Sequence, residues 1–196
     1  MKTKKLVAAA AVAATLCVTI GGTLAWLTDT ETVTNTLTVG DVEITLDEAK
    51  VDDNGQEITG EGAGRVQANT YKLFPGKEYD KDPTVTVAEG SEDCYVFVTV
   101  DNGLAEIEGD TTIEAQMIAN DWAKVDTYNG LDVYAKGTAQ SAGSELVVFE
   151  HFTVSGTVTG EALADYAGET IVVNAYAVQA EGFESAEAAW DASFGA

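Results

Sequence analysis

Apolar and polar positions alternate with a period of two along most of the chain. Val42, Ile44 and Leu46 share one face of the run Val42 to Leu46. The pattern returns at Thr84–Val87, Leu131–Tyr134, Phe152–Val158 and Thr170–Val178. It is plainest at Tyr95–Val100, where Val96, Val98 and Val100 oppose Tyr95, Phe97 and Thr99. Such alternation, rich in β-branched and aromatic residues, predicts strands. Asn54-Gly55, Asn102-Gly103 and Asn129-Gly130 supply turn chemistry, because both residue types tolerate positive φ. The last pair predicts a hairpin in which Val125–Tyr128 returns as Leu131–Tyr134. Pro83 stands at the start of its strand, where a missing N–H costs little.

Helical patterns are short. Thr111-Thr112-Ile113-Glu114 opens like a capping box and leads into Ala115–Ala119. Gly160–Ala167 suits one or two turns, and Ser185–Ala192 follows a cap-like Ser. Strands without long interleaved helices predict an all-β fold. The expected form is a two-sheet antiparallel sandwich of jelly-roll or immunoglobulin-like type, with the jelly roll preferred and a few short helices as covers.

The first residues have the layout of an export signal. Met1–Lys5 is basic, Leu6–Ile20 is uncharged and almost wholly apolar, and Gly21-Gly22 breaks the run. Thr23-Leu24-Ala25 then places small residues at −3 and −1 of a cleavage site between Ala25 and Trp26. An apolar run of this length is short for a membrane span, although an uncleaved anchor has the same outline. The expected organisation is a signal peptide at 1–25, an N-terminal strand or arm at 26–40 and a β-sandwich domain at 41–196. The processed product is expected to be secreted, with no stable membrane anchor.

Charge narrows the choice of partner. The chain of 196 residues carries 33 acidic and 10 basic side chains, a net charge of −23. Cleavage would remove Lys2, Lys4 and Lys5 and no acid, leaving 7 basic side chains against 33 acidic ones, a net charge of −26. Unaided nucleic-acid binding is thereby excluded, since phosphate contacts need clustered Lys and Arg. An anionic membrane surface is equally unsuited. Cys94 would be the only thiol left, set in a strand pattern that reads as core.

Candidate catalytic chemistry is sparse. An H-E-x-x-H zinc site needs two His one helical turn apart, and His151 is the only His in the chain. It lies between Phe149 and Phe152 and reads as a surface or edge residue. No G-x-S-x-G elbow marks a nucleophilic Ser. Chance carboxylate pairs are expected among 33 acids, so they do not point to glycoside chemistry. Asp47-Glu48, Asp52-Asp53-Asn54 and Asp80-Lys81-Asp82 are oxygen-rich but lack the EF-hand spacing, and read as solvated surface. Trp122, Tyr128, Tyr134 and Trp190 have faces that stack on sugars, but the two Trp read as core or helix-docking residues. No enzyme activity and no catalytic, cofactor or metal site is expected.

The segment after the cleavage site is the most informative. Thr32–Gly40 is nine residues without a charge in a strongly acidic chain. Val33, Leu37 and Val39 fall on one face, interrupted by Asn35, and Thr32, Thr34, Thr36 and Thr38 fall on the other. Two readings fit. It is an ordinary first strand of its own sandwich, or it is an arm that completes the sheet of a neighbouring copy by strand addition. Burying Val33, Leu37 and Val39 would contribute about 5–9 kcal/mol before ordering costs. Head-to-tail donation does not close on itself, so it would build a filament.

Gly21–Glu31 followed by Thr32–Leu46 resembles the export and N-terminal region of the TasA/camelysin (CalY) family, Gram-positive biofilm-matrix proteins processed by the signal peptidase SipW. The resemblance is strong over Gly21–Asp47. It continues more loosely through Tyr71–Gly76, Cys94–Val100 and Ala175–Phe183. It implies a jelly-roll sandwich, secretion, cleavage near Ala25 and assembly into fibres by donated N-terminal strands. The implied partners are a SipW-type peptidase and either a second copy of the chain or a sister matrix protein. Camelysin-like members have also been labelled metallo-endopeptidases, which the single His does not support. The leading expectation is a secreted structural protein of the cell surface or biofilm matrix. The alternative is a monomeric, adhesin-like module for glycan or host protein.

Overall fold

Strand-forming residues and tight turns account for most of residues 41–195, the part of the chain that the computed structural model describes. The expected leader, the cleavage point at Ala25 and Trp26, and the arm residues Val33, Leu37 and Val39 all lie outside the described residues. In chain order the strands are β1 (Ile44–Ala49), β2 (Arg65–Val66), β3 (Glu78–Asp80), β4 (Thr84–Val87), β5 (Cys94–Asn102), β6 (Trp122–Tyr128), β7 (Leu131–Lys136), β8 (Glu145–Val147), β9 (His151–Thr153) and β10 (Ile171–Gln179). They form a sheet ordered β2-β1-β4-β8, a second ordered β10-β5-β7-β6, and a two-stranded pair β3-β9. Every pairing is antiparallel. Among the described residues three short α-helices cover this framework: α1 (Ile113–Ala119), α2 (Gly160–Leu163) and α3 (Ala186–Ser193). No helix among the described residues is long and apolar enough to cross a membrane.

The alternation in β5 explains how the core divides. Val96 and Val98 point to one side and join Val85 and Val87 of β4, Tyr79, Phe149 and Phe152 in the larger core. Tyr95 and Phe97 point to the other side and meet Val133, Ala135 and Trp190 in a smaller one. Both faces are therefore covered, and Cys94 through Thr99 are all buried, where the alternation alone suggests a half-exposed strand. Helix α3 provides the second cover. Ser185 caps it by accepting from the Ala188 N–H at 3.2 Å, as the cap-like Ser predicts. Trp190 is fully buried, tilts against Phe97 with ring centroids 5.0 Å apart, and donates its Nε1–H to Asp126 Oδ2 at 2.8 Å.

Local turn chemistry fixes the connections. Asn129 and Gly130 hold φ of 52° and 85° between β6 and β7, the left-handed pair that a two-residue hairpin requires. Gly55 has φ 69°, and a Cβ there would sit 2.5 Å from Tyr79 Cδ1, so the turn needs Gly on both counts. Thr112, one residue after the expected position, caps α1 by accepting from the Ala115 N–H at 3.1 Å. The pattern at Phe152–Val158 yields only the short β9, because Ser155-Gly156 turns the chain away.

Candidate functional site

Two strand edges face a common cleft. β1 pairs with β4 from Ile44 to Asp47, while β2 covers its other side only at Glu48 and Ala49. β10 pairs with β5 along its whole length and has no partner on its far side among the described residues. Between these edges lies a cleft of about 1240 Å³. Ile44 and Leu46 line one wall, Ile171 and Val173 the other, with Tyr71 and Leu73 between them and Leu163 and Tyr166 at the α2 end. The inward side chains of the central strands are sealed from water, as Val96 and Val98 are, but these lining residues are only half-buried. The cleft is larger than the roughly 300–1,000 Å³ of ordinary small-ligand sites. Its shape and chemistry suit an extended, apolar segment able to use the backbone groups that the described residues leave unpaired on either margin.

One end of the cleft is polar and tightly organised. Glu48, on β1, is 4% exposed and forms an ion pair with Lys81, which is 9% exposed. The second carboxylate oxygen of Glu48 accepts from Asn69 Nδ2 at 2.9 Å. That amide nitrogen also donates to the Ala49 carbonyl at 2.8 Å, and Asn69 Oδ1 accepts from the Val51 N–H at 3.1 Å. Arg65 clamps the outside of the same corner, binding Asp47 and reaching Asp82 Oδ2 at 2.8 Å. Tyr71 packs edge-on against Tyr79 and Phe152, with centroids 5.9 and 5.1 Å away. Burial and the nearby Glu48 charge push the Tyr71 phenol well above its ordinary pKa, so it stays neutral.

A smaller cavity of about 500 Å³ lies between α1 and the β6–β7 hairpin and includes Glu108, Glu114 and Asp132. Tyr134 donates its hydroxyl to Glu114 Oε1 at 2.8 Å, and Glu108 Oε1 accepts from the Ile113 N–H at 2.8 Å. Burial raises the Glu108 carboxyl above its usual range, against the opposing pull of its hydrogen bonds.

The other sequence candidates are dispersed. His151 sits on β9 with its side chain 27% exposed, 3.5 Å from Glu78 Oε2, the edge position expected of it. Cys94 is buried and free, and burial first, then the Asp93 charge, push its thiol up, which leaves it inert. The acidic clusters are occupied by the protein itself: Asp52 accepts from the Asn54 and Gln56 N–H groups, and Asp47, Glu48 and Asp82 face Arg65 or Lys81. Among the described residues no three His, Cys, Asp or Glu converge as a metal site. Trp122 and Trp190 are core residues; Trp122 Nε1 donates to the Val147 carbonyl at 2.9 Å. Sequence reasoning missed the Glu48–Lys81–Asn69 corner, because Asp80-Lys81-Asp82 reads as a solvated run. The available hint was its period of two, which turns Lys81 away from its acidic neighbours.

Fold and cleft together define an antiparallel β-protein whose core is incompletely covered, among the described residues, between two strand edges. Residues 2–58 match the model of a family described as camelysin metallo-endopeptidase, so the resemblance carried by Gly21–Asp47 is shown for that part of the chain. The match takes in the leader pattern, the neutral arm and β1. The catalytic label in that description has no counterpart in a metal cluster among the described residues. Comparison with curated proteins and with solved structures finds no match.

Proposed function

We propose that this chain is a secreted structural protein of the cell surface or biofilm matrix of a Gram-positive bacterium, with a sandwich of jelly-roll type. It assembles into fibres when the neutral arm of one copy enters the cleft of another. The observation that carries this reading is the half-buried apolar cleft bordered by β10 and by the Ile44–Asp47 part of β1, margins that no strand among the described residues pairs. The arm supplies Val33, Leu37 and Val39 for those walls, and its backbone can extend either sheet. The family match over residues 2–58 supports the same reading, since it spans leader and arm. Cleavage between Ala25 and Trp26 by a SipW-type peptidase would free the arm. The acceptor is a second copy or a sister matrix protein. The reading assigns no catalytic role, because a chain with one His cannot supply an H-E-x-x-H zinc site.

The test compares protein beginning at Trp26 with protein beginning at Asp41, by sedimentation and negative-stain microscopy. Filaments from the first and monomers from the second are expected. Monomers from both would end the assembly reading and leave the cleft as the binding site of a solitary surface module.

A further inference from the structure

The polar corner of the cleft holds a nucleophile and an electrophile, each in contact with the same proton carrier. Lys81 and Asn69 are held on the two oxygens of the same buried carboxylate, Glu48. The carbonyl oxygen of the Asn69 amide already accepts from the Val51 N–H at 3.1 Å, which polarises Cγ. Its nitrogen faces Glu48 at 2.9 Å, where a departing group would collect a proton. We propose that Lys81 and Asn69 become joined by an intramolecular amide bond, with Glu48 carrying the protons.

The step balances without any co-reactant. Glu48 takes a proton from the Lys81 ammonium, and the freed Nζ attacks Asn69 Cγ. The developing oxyanion on Oδ1 is held by the Val51 N–H. Nζ loses a second proton through Glu48, the Cγ–Nδ2 bond breaks, and Nδ2 leaves as ammonia into the cleft. No atom is oxidised or reduced. The products are a secondary amide and a neutral Glu48 carboxyl, so two buried charges disappear. That matters because a buried ion pair is costly to desolvate and seldom a net gain over neutral groups. Proximity does the rest: reactants held on the two oxygens of one carboxylate gain the effective concentration of an intramolecular reaction. The bond would tie the Asn69–Leu73 segment, which lies between the walls of the cleft, to the chain just after β3.

Peptide mapping of the denatured, full processed chain tests this. Trypsin should release Val66–Lys72 joined to a peptide that begins at Glu78, with cleavage after Lys81 blocked. The linked pair should weigh one ammonia less than its parts. Total mass alone is insufficient, because succinimide formation at an Asn-Gly pair also loses ammonia. Glu48→Gln should abolish the branched peptide while near-ultraviolet circular dichroism remains native-like. Free Val66–Lys72 and free Glu78–Lys81 from the unsubstituted protein would overturn the proposal, even if the variant failed to fold. A branched peptide formed fully in a folded Glu48→Gln variant would overturn the role of Glu48.

Discussion

Leu46 offers a measured test of the cleft as a strand acceptor. It lies on β1, its side chain lines the cleft, and it is half-buried in the free domain. Full burial of a Leu side chain contributes about 1.5–3 kcal/mol, and most of the Leu46 surface is already covered, so filling the cleft adds at most about a third of that, roughly 0.5–1 kcal/mol. Leu46→Ala forfeits that increment in the complex. It should weaken binding of a synthetic Trp26–Gly40 peptide to protein beginning at Asp41 by roughly two- to five-fold, since about 1.4 kcal/mol is tenfold in Kd. Ile118→Ala is the control: Ile118 is 59% exposed on α1, away from the cleft, and its loss should leave Kd unchanged. Isothermal titration calorimetry reads both. Equal effects of the two substitutions, or none from Leu46→Ala in a folded protein, would refute the assignment of the peptide to this cleft.

Trp190→Ala should destabilise the domain by about 3–5 kcal/mol in urea unfolding, because it empties the centre of the smaller core; peptide binding at the remote cleft should persist while the protein stays folded. Glu108→Gln should raise the melting temperature at neutral pH. The folded carboxyl has a raised pKa, so its ionised form is disfavoured by folding, and wild type gains stability as pH falls through that raised value. The advantage of the variant should therefore vanish once pH drops below the ordinary Glu range. Filament growth of the processed protein should accelerate with added salt, Ca²⁺ or acid, because subunits of net charge −26 repel one another; light-scattering traces fastest at low salt and neutral pH would contradict this.

Much of the fold was legible because its signals are local. The β6–β7 hairpin follows from Asn129-Gly130 between alternating runs, and the caps at Thr112 and Ser185 follow from hydroxyls ahead of helical stretches. The two faces of β5 were readable from alternation, but the helix that covers the second face had to be found by packing: nothing in Ser185–Ser193 says which sheet face Trp190 meets. Strands β2, β3 and β8 are two or three residues long, too short for any periodic pattern. The cleft itself is a property of pairing. That β1 has no second neighbour beside Ile44–Asp47 among the described residues depends on where β2 starts and on β10 running along β5, contacts far apart in the chain. Lys81 shows the same limit, since its carboxylate partner is contributed by another strand 33 positions away.

The most direct measurement of the central claim is a density map of the protein as recovered from the cell surface, at a resolution that traces backbone. The account predicts an extended segment containing Val33, Leu37 and Val39 in the cleft between β1 and β10, continuous with a neighbouring subunit. The same segment packed into the cleft of its own molecule, with both strand margins closed and no subunit-to-subunit exchange, would contradict it.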